Sequence, residues 1–136
     1  MVPALEGESS FAATGTCLAA TAGRWYVASG GVNPGRIFRS RDGCHWNVSD
    51  ASIAGGEASG VFSGQFRDAK YGIAVGPTGS DLTLDGLWNW RGFDNGSFDS
   101  VECVKGPVCW ASGENGRIAR LAVARIFECR ENHRCP

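Results

Sequence analysis

Three short stretches of the chain share one pattern of apolar and polar positions: WYVASG (Trp25 to Gly30), YGIAVG (Tyr71 to Gly76) and VCWASG (Val108 to Gly113). Each is rich in β-branched, aromatic and small side chains and closes on glycine, the mark of a strand running into a turn. An earlier strand-like run precedes each one, in FAATGTCLA, GVFSGQFRD and FDSVECV. A third run follows each, in GRIFRS, SDLTL and GRIARL. The first and third copies also share Gly-Arg-Ile-x-Arg, at Gly35 to Arg39 and Gly116 to Arg120.

The offset between copies is on the order of 40 residues, the spacing of four-stranded β-propeller blades. The fold class expected is therefore all-β: a partial β-propeller of about three blades of antiparallel four-stranded sheets. The propeller segment is expected over 9–121, with modules at about 9–54, 60–94 and 97–123, the last running into the start of the tail. Residues 122–136, AVARIFECRENHRCP, leave the pattern and are expected to be irregular or a short helix.

After the third run, two copies reverse direction and re-emerge on tryptophan: SRDGCHW (Ser40 to Trp46) and TLDGLWNW (Thr83 to Trp90). A strand that turns back within a few residues must satisfy the N–H groups it leaves unpaired. Asp42 and Asp85 can accept them in Asx-type turns, while Gly43 and Gly86 take positive φ at little cost. Ser40 and Thr83 add hydroxyls to the same networks, and Trp46 and Trp90 cover the hairpins' apolar side.

These turns resemble the Asp box, or bacterial neuraminidase repeat, Ser/Thr-x-Asp-x-Gly-x-x-Trp. In the first copy Trp46 comes one residue early, and in the second Leu87 stands at the usual second glycine. The third copy has no box. Over residues 9–121, and most closely in FRDAKYGIAVG and GENGRIARL, the chain is similar to repeats of the photosystem II stability/assembly-factor type. Sialidases, sortilin-type receptors and some glucan-cleaving enzymes are related Asp-box propellers. The resemblance implies a non-catalytic scaffold for protein interaction or assembly. The alternatives are a segment of a carbohydrate-active propeller that binds or hydrolyses glycans, and a truncated fragment without independent function. Propellers of this type have about seven blades, so three modules imply a piece of a longer chain, self-association or an open stack.

Composition narrows this further. At 136 residues the chain fits one modest domain, and a formal net charge of -1 supplies no field for nucleic acid. No apolar run is long enough to span a bilayer. The N-terminal MVPALEGESSFAA shows no basic region followed by an apolar core, so no signal peptide is expected and the compartment stays open. A protein partner or self-association is the expected interaction, with a glycan as the further possibility.

Six cysteines form two pairs of equal spacing, Cys103/Cys109 and Cys129/Cys135, with Cys17 and Cys44 apart and not paired with each other. Cys103 and Cys109 lie on adjoining strands, where either a cross-strand disulfide or two reduced thiols is reasonable. Cys129 and Cys135 enclose His133 in a charged segment, where a disulfide or disorder outweighs a partial metal site. Bonded cysteines would favour an extracytoplasmic location. No metal or cofactor is expected.

For binding, Arg36 and Arg117 occupy equivalent positions, with Arg39 and Arg120 three residues on. Either the first pair forms part of a polar surface for acidic ligands or peptides, or these are exposed strand arginines paired with nearby carboxylates. Trp88 and Trp90 alternate onto one face, where core packing competes with an aromatic platform for a sugar or peptide. Asp42 and Asp85 read as structural. Asp50, Glu57, Asp68, Asp81, Asp94 and Asp99 are scattered loop or strand-end acids, and Tyr26 and Tyr71 lie in strands. No catalytic residue is assigned.

Overall fold

The computed structural model describes residues 2–11, 16–21, 23–104 and 108–122. The chain is all-β, with no α-helix among the described residues. Strands β1 (Leu18–Thr21), β2 (Arg24–Ser29), β3 (Arg36–Ser40) and β4 (Trp46–Asp50) form one antiparallel sheet in chain order. A second is built alike from β5 (Ser63–Phe66), β6 (Gly72–Gly76), β7 (Gly79–Thr83) and β8 (Trp90–Asp94). In the third, β10 (Val108–Ser112) lies between β9 (Ser100–Cys103) and β11 (Ile118–Ala122). The expected tail, with Cys129, Cys135 and His133, lies outside the described residues.

The first strands of successive sheets are neighbours: β1 lies beside β5, and β5 beside β9. At their meeting point the Thr16 hydroxyl is 2.5 Å from that of Ser63 and 3.1 Å from that of Ser100. Ser63 Oγ also accepts the Val101 N–H at 3.1 Å. Hydroxyls serve here because the strand ends approach too closely for larger side chains and still need hydrogen-bond partners.

Two cores separate the three sheets. Between the first and second lie Tyr26, Ala28, Ile37, Phe66, Ala74 and Leu87, with Tyr26 stacked on Phe66 at 3.5 Å between ring centroids. Between the second and third lie Ile73, Val75, Phe98, Val101, Cys109 and Ala111. Because alternate residues face opposite ways, β6 serves both cores, Ala74 toward the first sheet and Ile73 and Val75 toward the third.

The pairing registers show how the sheets repeat. Ser40 pairs with Trp25 and Trp46, while Thr83 pairs with Gly72 and Trp90. Measured from the turns, Trp25 thus corresponds to Gly72, Tyr26 to Ile73 and Ala28 to Val75. This corrects the sequence alignment of WYVASG with YGIAVG, which is offset by one residue. The correction matters because a slip of one moves every side chain to the other face. In the corrected register Tyr26 and Ala28 face the following sheet, as Ile73 and Val75 do. Between the second and third sheets no offset is needed, since Ser63 pairs with Val75 and Ser100 with Ser112. Ala74 and Ala111 then correspond, and each faces the preceding sheet. The three sheets therefore stack head to tail, the same face always leading.

Candidate functional site

The first turn is built as its residues dictate. Ser40 Oγ accepts the N–H of Gly43 at 2.8 Å, and Asp42 Oδ1 accepts those of Cys44 and His45 at 2.8 and 2.7 Å. Asp42 Oδ2 lies 2.6 Å from His45 Nδ1, and the Trp46 indole donates to the Gly43 carbonyl at 3.0 Å. The His45 backbone N–H and side chain, followed by the Cys44 N–H, hold the Asp42 carboxyl far below its ordinary value. Gly43 has φ 76°, the left-handed conformation this reversal requires.

In the second turn Asp85 Oδ1 accepts from the Thr83 hydroxyl at 3.0 Å and the Asn89 N–H at 3.1 Å, and Oδ2 takes the Asn89 amide at 2.5 Å. Burial would raise the Asp85 carboxyl, but the bonds from Asn89 and Thr83 outweigh it and the net shift is downward. Gly86 has φ 89°, and a Cβ there would meet the Ala69 carbonyl oxygen, so the turn lies hard against the β5–β6 loop. Leu87, the residue after Gly86, is fully buried in the core between the first two sheets. Its carbonyl accepts from Ser49 Oγ at 2.5 Å, and Ser49 in turn accepts the Trp90 indole N–H at 3.1 Å.

Trp88 and Trp90 do not share a strand face. Strand β8 begins at Trp90, which packs edge-on against Phe66 at 5.9 Å, while Trp88 stays in the turn with 58% of its surface exposed. The turn borders a groove of about 330 Å³ lined by Leu82, Leu84, Asp85, Asn89, Trp90 and Arg91.

Arg36 is no surface arginine. It is buried, with Nε 2.9 Å from Glu8 Oε1 and Nη2 2.8 Å from Glu8 Oε2, and Nη2 also donates to the Pro3 carbonyl at 3.3 Å. Glu8 further accepts the Ser29 hydroxyl at 2.5 Å and the Leu5 N–H at 2.8 Å. Burial pushes the Glu8 carboxyl up, but Arg36, Ser29 and the Leu5 N–H together pull it below its ordinary value. The bidentate pair clamps the N-terminal segment onto the first sheet, so Arg36 is paired with a carboxylate, as one of its two readings expected, but in a buried setting rather than an exposed one. Arg117 is exposed, its guanidinium 5.8 Å from the Phe98 ring.

Asp81 is the acid the sequence misplaced. It sits within β7, 1% exposed, and accepts both the backbone N–H of Ser52 and its hydroxyl. It thereby ties the segment after β4 to the second sheet. Tyr26 is fixed in the core by Phe66, its phenol pushed up by burial, and Tyr71 lies under Arg67 at 4.3 Å. Cys103 and Cys109 form a disulfide directly across β9 and β10, and Cys17 and Cys44 are free. No group of three or more metal-ligating side chains occurs among the described residues, and no described helix is long and apolar enough to cross a membrane.

Chemically, Asp42, Asp85, Asp81 and Glu8 are all filled with hydrogen bonds from the protein itself. Comparison with protein-family models, with curated proteins and with solved structures finds no match to this chain.

Proposed function

We propose that the chain is a three-blade segment of an Asp-box β-propeller, similar to proteins of the photosystem II assembly-factor-like type. It serves as a non-catalytic scaffold for protein interaction or assembly. The observation that carries this reading is the employment of the acids: the turn carboxylates of Asp42 and Asp85 are held ionised by local donors that a reversing strand must satisfy anyway. A glycosidase needs one carboxyl poised to give a proton and a second placed across a cleft. Carboxyls held below their ordinary values are poor proton donors at neutral pH.

A carbohydrate-binding reading has one observation in its favour, the exposed Trp88 in the turn that borders the groove at Asp85, Asn89 and Arg91. Chromogenic sialosides and β-glucans assayed with wild type, Asp85→Asn and Trp88→Ala decide between the two. The scaffold reading expects no turnover and no retention on glycan surfaces. Turnover that Asp85→Asn abolishes while the fold is kept would overturn it, and binding lost in Trp88→Ala would favour the glycan reading.

A further inference from the structure

The first and second sheets each press one face onto the sheet that follows. The third sheet has the same leading face and nothing described upon it. Trp110 and Ser112 stand where β6 has Ile73 and Val75, and Trp110 is 50% exposed. On the same face Ile118 is 70% exposed, and Val104, just beyond β9, is 58% exposed. Trp110 lies between Glu102 and Arg120 on the adjoining strands. At the other end of the stack, the first sheet turns its trailing face outward. There Leu18 is 53% and Trp25 45% exposed, with Val27 opposite Leu18 and Ala20 opposite Trp25. The Phe38 end of that face is already covered by the Arg36–Glu8 clamp.

A trailing face and a leading face are the two halves of a contact the chain makes twice within itself. The leading residues Tyr26 and Ala28 meet Phe66 and Ala74, and the leading Ile73 and Val75 meet Val101 and Ala111. We propose that the chain self-associates head to tail, the exposed leading face of the third sheet in one copy packing on the trailing face of the first sheet in a second copy. The inference rests on the scaffold reading and names its partner: another copy of this chain. The occupant follows from continuity, since the surface that fits a leading face is a trailing face, and this chain displays one. Such a contact is heterologous, joining two different patches. Each patch carries an exposed tryptophan, a residue type that dominates interface energetics.

This asymmetry makes the proposal testable by complementation. Molar mass is measured by light scattering for wild type, Trp110→Glu, Trp25→Glu and an equimolar mixture of the two variants. Wild type is expected to self-associate. Each variant alone has lost one half of the contact and should be monomeric. The mixture should give a heterodimer, because Trp25→Glu still offers an intact leading face and Trp110→Glu an intact trailing face. Far-ultraviolet circular dichroism checks that both variants keep the β-fold. Ile118→Glu and Leu18→Glu replace them if either does not. A monomeric wild type, association that survives either substitution, or a mixture that stays monomeric each overturns the proposal. A monomeric wild type that still unfolds cooperatively would leave the scaffold reading standing. Turnover dependent on Asp85 would sink that reading without touching self-association.

Discussion

Replacing Leu87 by alanine should be among the costliest single changes in the molecule, although the residue sits in a turn. Leu87 is fully excluded from solvent and shares its core with Tyr26, Ala28, Ile37 and Phe66. Its carbonyl anchors Ser49, which in turn holds the Trp90 indole. Truncation to alanine leaves those polar links in place and removes the side chain from between two sheets that are held apart by their own strands. Little collapse can fill the space, so the loss should be about 3 kcal/mol. Against a total stability of about 5–15 kcal/mol for a domain, that is a large share. It corresponds to a fall in melting temperature of roughly 10 °C for a chain of this size. Leu84→Ala, at a half-buried position of the same turn, should cost only about 1 kcal/mol. Leu87→Gly, which matches the Asp-box pattern the turn resembles, should be worse than alanine by about 0.5–1 kcal/mol, through the extra freedom of the unfolded chain. Urea unfolding followed by tryptophan fluorescence gives all three values. If Leu87→Ala cost no more than Leu84→Ala, or if Leu87→Gly were neutral, the turn would not plug the space between the sheets and the reasoning would fail.

Two further outcomes follow from the polar anchors. Because the folded Asp42 carboxyl lies below its unfolded value, its contribution is complete above about pH 4 and is lost as pH falls toward the folded value. Asp42→Asn should therefore be less stable than wild type at neutral pH, and the gap should narrow on acidification, read from urea midpoints across the acid range; a constant gap would contradict the assignment. Glu8→Gln leaves the buried Arg36 guanidinium without its counter-charge and should cost about 3 kcal/mol. In thermal melts Glu8→Leu combined with Arg36→Met should recover most of that loss, and failure to do so would show that the pair does more than clamp the N-terminal segment.

How much of this could be read along the chain depended on how local each interaction is. The turn networks were legible because Ser40, Asp42 and Gly43, like Thr83, Asp85 and Gly86, act within a few residues of one another. The Cys103–Cys109 bridge was open to the same reasoning, since the two residues pair across one hairpin. The strand register was not. The β2–β3 connection runs from Gly30 to Gly35, whereas Pro77 and Thr78 alone join β6 to β7, and aligning on the closing glycine absorbed that difference in the wrong place. That Arg36 pairs with a carboxylate was one of two readings, but its burial and its partner were not legible, because Glu8 is 28 residues away in a segment without periodic pattern. Asp81 gave one signal that could have been used: its place inside the strand-like run SDLTL, where a buried acid survives only if donors reach it. Leu87, read as a departure from the box, is the point where the turn joins the core.

The head-to-tail order of the sheets is the claim on which the rest depends, and aromatic proton contacts in solution test it most directly. Nuclear Overhauser contacts between the Tyr26 and Phe66 rings, together with contacts from Val101 to Ile73 or Val75, are the result this packing predicts. Contacts to Phe66 from Val27 or Phe38, on the opposite face of the first sheet, would contradict it.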